Sequence, residues 1–396
     1  MNKVLEYLKQ HQGDILEKGT SNTDKVLEYL KQHQEDILED LKTLVLAESP
    51  SHSKVRVDQC GEVIQQLFKK YLDVEAEVIL QEHAGNHLRF SYGKGDAQIL
   101  IICHFDTVWE VGRLSYRVEG NKAYGPGILD MKGGITQALW ALKACRELGI
   151  SLNKKIVFLC TSDEEVGSKT SRALIEQEAL KSQVVLVPEP AAPHTGALKT
   201  VRKGVGKFSI QIKGKAAHAG QDHRDGISAI QEMAHQILFL HSLTDYELDT
   251  TLNVGVVRGG TAGNVVAEQA ELAVDLRISQ FGEGERVSKI IYGLKPHLEG
   301  ISLQVSGGVI RPPMERTAQN EKLFNLAKTC SSELGFHLTE ESVGGGSDGN
   351  FTSALGIPTL DGLGPVGEGN HAEIEHIEIN QLPVRAALIA HLLRKL

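Results

Sequence analysis

Apolar residues recur along this chain with two different periods, and the change from one to the other divides it. Between about Thr23 and Tyr71 they fall at helical spacing, interrupted at "SPSHS". Short apolar runs follow, "AEVILQE", "HLRFSYG" and "AQILIICH", and these predict strands. "GGITQALWALKACRELGI" predicts a helix stopped by Gly149. "KKIVFLCTS" and "QVVLVPEP" predict buried strands with a helix, "SRALIEQEAL", between them. Strands that are apolar throughout and alternate with helices imply an α/β fold: a mainly parallel sheet with helices on both faces.

After Arg202 the period becomes two. "GVGKFSIQIKGKA" alternates like a half-exposed antiparallel strand. An amphipathic helix, two strands, a second helix and "ISLQVSGG" follow, which together predict a small α+β domain with one antiparallel sheet. From about Pro312 helices and strands resume, ending in "LPVRAALIAHLLRKL". The chain therefore reads as one domain in two parts, 23–202 and 312–396, with 203–311 inserted between them. A length of 396 residues agrees with about two domains. One repeat stands apart: "KVLEYLKQHQGDIL" (Lys3 to Leu16) recurs as "KVLEYLKQHQEDIL" (Lys25 to Leu38), with Gly13 against Glu35. The second copy runs on into the fold, so residues 1–22 are expected to be a duplicated, loosely attached leader.

Composition narrows the function. There are 42 basic and 51 acidic residues, a net charge of −9, and no strongly basic stretch, so nucleic acid is an unsuitable partner. No stretch approaches the roughly 18 apolar residues of a membrane helix, and the N-terminus is too polar for a signal peptide. The five cysteines, Cys60, Cys103, Cys145, Cys160 and Cys330, form no CxxC pair. An odd number of cysteines, mostly in apolar runs, points to a reducing, cytoplasmic setting.

In open α/β sheets, ligands sit at the carboxyl ends of strands. At those ends this chain places acid and imidazole: His104 and Asp106 in "CHFDTV", Asp130 in "GPGILDMKGG", Glu164 and Glu165 in "TSDEEVGS", Glu189 in "PEP". His371 follows late, in "GNHAE". Singly these are weak signals: an isolated Asp130 is a helix cap, and His371 is one of 16 histidines. Together they are acids at neighbouring strand ends with no basic residue adjoining them in sequence. Buried carboxylates are paired or metal-bound, and a divalent metal pair would answer their charge. Mixed His and carboxylate donors suit zinc, with cobalt or manganese as substitutes.

These motifs, with "GKAAHAG" between them, resemble the zinc-dependent aminoacylase and carboxypeptidase superfamily, most of all its glutamate carboxypeptidases. The resemblance covers roughly Val26 to Leu396. It implies a di-zinc catalytic domain with an inserted lid or dimerisation domain, acting as a homodimer. It assigns His104, Asp130 and Glu189 to one zinc, and Asp130, Glu165 and His371 to the other. It makes Glu164 the general base and Asp106 the acid that orients His104. His218 would reach the active site of a partner subunit and steady the oxyanion. Arg277, Asn264 and Arg311 would bind the substrate's carboxylate, with Gly346 and Ser347 lining the pocket. The implied reaction is hydrolysis of an amide next to a free carboxylate, in a small peptide or N-acyl amino acid; deacylation of N-acyl amino acids or dipeptide cleavage is the near alternative. The resemblance further implies a cis peptide after Asp130.

Two other readings compete. "GGSDG" (Gly345 to Gly349) fits G-x-S-x-G, and Asp361 and His371 follow it in the order of a serine hydrolase triad built on Ser347. It would leave the acids at the strand ends unexplained, and "FHLTEESVGG" is a poor strand to precede an elbow. A metal-free binding or scaffold protein would be expected to have lost Glu164 or a ligand, and every one of those positions is filled.

Overall fold

The computed structural model describes residues 24–396. The expected leader, 1–22, with the first copy of the repeat, lies outside the described residues. The second copy forms helices Lys25–Gln32 and Gln34–Leu46. Asp24 caps the first, its carboxylate accepting from the amides of Val26 and Leu27 at 3.0 Å. Val26, Leu30, Ile37, Leu41 and Leu44 bury one face of the pair in the main core, as their spacing requires.

Eight strands make the central sheet, in the order Glu77–Ile79, His87–Tyr92, Lys155–Thr161, Gln98–His104, Val184–Val187, Thr359–Asp361, Leu198–Arg202 and Glu340–Val343. The middle four, from Lys155–Thr161 to Thr359–Asp361, run parallel. The outer strands add antiparallel ladders. Gln98–His104 is buried at every position because both faces of the sheet are covered. Ile99, Ile101 and Cys103 face the large core with Trp140 and Leu388; Leu100 and Ile102 face a second core with Ile175 and Phe351. Phe68 stacks on Phe90 with ring centroids 3.9 Å apart and meets Phe158 edge-on at 4.9 Å. These rings fasten helix Lys54–Leu72 to the sheet.

A separate four-stranded antiparallel sheet has the order Thr251–Gly259, Gln269–Ile278, Gly204–Lys213, Ser302–Arg311. Helices Ala229–His241 and Phe281–Tyr292 close over a core of its own, built from residues such as Phe208, Ile210, Leu272, Val274, Val287 and Ile291. The alternation along Gly204–Lys213 buries every second side chain there and leaves the others toward solvent.

"FHLTEESVGG" is a poor strand, as expected: only Glu340–Val343 is extended, paired parallel with Leu198–Arg202. It lies at the sheet edge and is only half-buried, so it carries no apolar run. Glu164 and Glu165 do not leave the sheet as the last residues of a strand. The strand ends at Thr161, and both acids sit on the short 3-10 turn Glu164–Val166. Among the described residues, no helix is long and apolar enough to cross a membrane.

Phe68→Ala is expected to lower unfolding free energy by about 3–5 kcal/mol, the usual cost of emptying a buried aromatic site. Chemical denaturation of the full chain measures this.

Candidate metal centre

The parallel strands deliver their side chains to one place. His104 ends strand Gln98–His104, and Glu189 follows strand Val184–Val187 by two residues. Asp130 lies in the loop before helix Gly133–Glu147, whose first turn presses against Pro188: a Cβ at Gly134 would lie 1.8 Å from the Pro188 carbonyl oxygen. The glycine pair in "DMKGG" lets that helix approach the Glu189 loop so closely. The Asp130–Met131 peptide is cis.

Two groups of donor atoms result, His104 with Asp130 and Glu189, and Asp130 with Glu165 and His371, the atoms of each lying within 4.8 Å of one another. Asp130 belongs to both. Its Oδ1 is 3.0 Å from His104 Nε2, and its Oδ2 is 3.5 Å from His371 Nε2. Glu189 Oε1 stands 3.5 Å from His104 Nε2, and Glu165 Oε2 3.1 Å from His371 Nε2. Asp106 is fully buried beneath them. His104 Nδ1 lies 3.1 Å from its backbone carbonyl, and its carboxylate accepts from the amides of Glu164 and Glu165 at 3.2 Å and from Ser51 Oγ at 2.7 Å. It therefore orients the histidine and anchors the acidic turn at once.

The electrostatics describe a place that wants a cation. Burial raises the carboxyl of Glu164 well above the usual range despite Arg311, and raises Glu165 despite His371. Burial also works against charge on His104, yet Asp106, Asp130 and Glu189 hold it well above the ordinary histidine value. His371 is pushed up to about 11 by its bonds to Asp130 and Glu165. Desolvation would raise Asp130, but the two histidines hold it well below the usual carboxylate range. The carboxylate oxygens that draw protons onto the two imidazoles, and the imidazole nitrogens themselves, are donors of the kind that bind zinc and its neighbours. The donor set fits a divalent metal.

Sequence reasoning missed the groups that hold these residues in place. Buried Glu375 accepts from the amides of Leu129 at 2.9 Å, Asp130 at 3.2 Å and Gly127 at 3.2 Å, and from Trp109 Nε1 at 2.6 Å. Burial pushes its carboxyl up to about 7. It sits four residues after His371, so one carboxylate ties the His371 loop to the Asp130 loop. The acids are also not without basic neighbours, contrary to what adjacency in sequence implied. Arg202 Nη2 is 3.4 Å from Glu189 Oε2, and Arg311 Nη2 is 3.0 Å from Glu164 Oε1. Arg202 stands 13 positions after Glu189, on the strand Leu198–Arg202, and Arg311 arrives from a distant segment. A second carboxylate close to "HAE" was the one signal for Glu375; no signal marked the arginines' partners.

Other expected site residues lie apart. His218 is exposed, and its ring accepts from the amides of Gly220 and Gln221. Asn264 is exposed beside it, its carbonyl accepting from the Ala219 amide at 2.9 Å. Arg277 pairs with Asp275 at 2.7 Å. None of the three bonds to the acidic cluster among the described residues. Gly346 packs on Arg311, where a Cβ would lie 2.6 Å from its Cδ. Ser347 is fully buried, donating to Asp361 and accepting from the Gly349 amide. His371 bonds instead to Asp130 and Glu165. The serine, aspartate and histidine of the rival triad are therefore not assembled: the aspartate holds the serine, not the histidine.

An α/β sheet with this cradle of carboxylate and imidazole at its strand ends, beside a separate α+β unit, defines a metal-dependent peptidase or amidohydrolase. Residues 100–395 match peptidase family M20/M25/M40, and the chain belongs to that family. It is 32% identical over 311 residues to carboxypeptidase G2 of Pseudomonas sp. (strain RS-16), covering 77% of this chain and 75% of that protein. Among solved structures, the fold is similar to aminopeptidase PepT of Bacillus cereus ATCC 10987, with a TM-score of 0.76 at 22% identity, covering 91% of this chain and 98% of that one. It is also similar to the YXEP protein of Bacillus subtilis, described as a dinuclear metal binding peptidase of the M20 family, with a TM-score of 0.67 at 18% identity, covering 92% and 98%.

Glu375→Gln puts an amide donor where amides and an indole N–H now converge. It is expected to weaken divalent-metal uptake about 10–100-fold, the usual effect of losing a group that orients a ligand. Titration of cobalt against a chelating dye reads this directly, and an unchanged affinity would show that the Asp130 loop holds itself.

Proposed function

We propose that the chain is a di-zinc carboxypeptidase that hydrolyses the amide before a C-terminal glutamate or similar residue, in small peptides or N-acyl amino acids. The observation that carries this is the sharing of Asp130: one carboxylate oxygen faces each histidine, so Asp130 would serve both groups of metal-holding residues. The likeness to carboxypeptidase G2 supports a carboxypeptidase. His104, Asp130 and Glu189 would hold one ion, and Asp130, Glu165 and His371 the other. When bound, the metal pair supplies Lewis-acid polarisation of the amide carbonyl and a water nucleophile at neutral pH.

The chain's own residues carry the protons and the geometry. Glu164 adjoins a ligand yet turns away from it: Glu165 faces His371, while Glu164 faces Arg311. In this reading Glu164 takes a proton from the attacking water and returns it to the leaving nitrogen, and a carboxyl raised by burial suits both halves of that task. Residues 203–311 act as the lid and dimerisation unit. His218, exposed and without a contact to the cluster of its own chain, serves the active site of a second copy and steadies the oxyanion there. Asn264 and Arg277 on the same unit meet the substrate's carboxylate, for which a planar guanidinium is well shaped. The five cysteines are free and buried, in keeping with a cytoplasmic enzyme.

Protein purified without chelator is expected to hold two divalent ions per chain and to release the terminal amino acid from a panel of N-acyl amino acids and peptides ending in glutamate. Chelation should abolish turnover, and zinc or cobalt should restore it. Preference for acetylated amino acids over peptides would move the enzyme to the deacylases. Glu164→Gln should keep the fold and metal content yet lose about 10²–10⁴ in kcat; normal turnover in that variant would sink the mechanism.

A further inference from the structure

Arg311 ends the last strand of the inserted sheet, Ser302–Arg311, and its side chain is only 9% exposed. Protein groups engage both terminal nitrogens. Nη2 lies 3.0 Å from Glu164 Oε1 and donates to Ser168 Oγ at 3.0 Å. Nη1 donates to Asp348 Oδ1 at 3.1 Å. The Phe351 ring centroid lies 4.7 Å from the guanidinium carbon, and glycine at 346 leaves room for the Arg311 stem. Asp348 is itself fixed, accepting from Thr161 Oγ1 at 3.2 Å and from Ser168 Oγ. The network joins "TSDEEVGS" to "GGGSDG" through one guanidinium.

A buried arginine held on several sides fixes the direction of any carboxylate it touches, since its donors form a rigid planar fork. We propose that Arg311 is a positioning residue for Glu164, steadied by Asp348 of the glycine-rich loop, and not the clamp for the substrate's carboxylate that the sequence resemblance implies. This rests on Glu164 as the proton carrier. It also gives "GGSDG" a purpose that does not need Ser347 as a nucleophile: its aspartate orients the arginine that orients the base.

The two roles separate in steady-state kinetics. The metal-loaded full chain is assayed with the substrate it turns over best from the panel above, and free glutamate is used as a competing product. A positioning role predicts that Arg311→Lys and Asp348→Asn each lower kcat about tenfold or more, with KM and the inhibition constant of glutamate within about twofold of the parent. Because both act through one contact, the double variant should lose less than the product of the single losses. A clamp predicts the reverse: KM and the glutamate constant rise together while kcat at saturation persists. That outcome, or kcat unmoved in both variants, overturns the proposal. Metal content and melting temperature matching the parent's establish that each variant is folded; should Arg311→Lys melt early, Asp348→Asn decides alone. A metal-loaded parent that hydrolyses no amide refutes the proposed function instead, so the two failures are distinct.

Discussion

Carboxylates brought together in a buried space repel one another, and this protein gathers Asp106, Asp130, Glu164, Glu165 and Glu189 at the ends of neighbouring strands. The arrangement is tolerable only because each acid has an answer. Asp106 takes backbone amides and a serine hydroxyl. Asp130 is flanked by His104 and His371, Glu165 by His371, Glu189 by His104 and Arg202, and Glu164 by Arg311. The arginines and amides are permanent answers. The imidazoles answer only while protonated, and their raised affinity for protons shows how much positive charge the space still draws. A divalent ion bound between them would supply that charge and release the protons.

The fold meets this constraint by separating support from chemistry. Strand Gln98–His104 is apolar on both faces from Ile99 to Cys103, so His104 emerges from rigid, fully packed backbone. Loops carry the other donors, and loops need restraint. Glu375 restrains the Gly127–Asp130 backbone, Asp106 restrains the Glu164–Glu165 turn, and Arg385 donates to the carbonyls of Gly362, Leu363 and Gly364 beside the Glu189 loop. Arg385 is a buried guanidinium satisfied wholly by backbone, with burial holding it down to about 10. Such groups are costly to bury unpaired and stiff once paired.

How much of this was legible depended on the range over which each signal acts. Strand alternation, apolar runs and helix stops are local, and they placed both sheets and the helices covering them. His104, Glu165 and Glu189 were legible because each ends or follows an apolar run by only a few residues, where a strand end must be; Asp130 and His371 lie in loops and stood out only in the company of the others. The edge strand Glu340–Val343 read as a poor one because it is half-buried and has no apolar run. The Glu164–Glu165 turn was not legible because the apolar run that marks its strand ends by Thr161, and no pattern in the polar stretch after it specifies a 3-10 turn.

The sequence alone determined which residues could bind a cation, since that follows from side-chain chemistry and from strand ends that local patterning makes visible. Tertiary structure alone decided which residues answer them. Arg311 meets Glu164 across 147 positions (311 less 164), Arg202 meets Asp361, and Asp361 takes the serine that a triad would have given to His371. Those pairings come from strand order in the sheet and from where the inserted unit rejoins it. Strand order is set by packing across the whole core, an interaction between segments far apart in the chain, and no short stretch of sequence contains it.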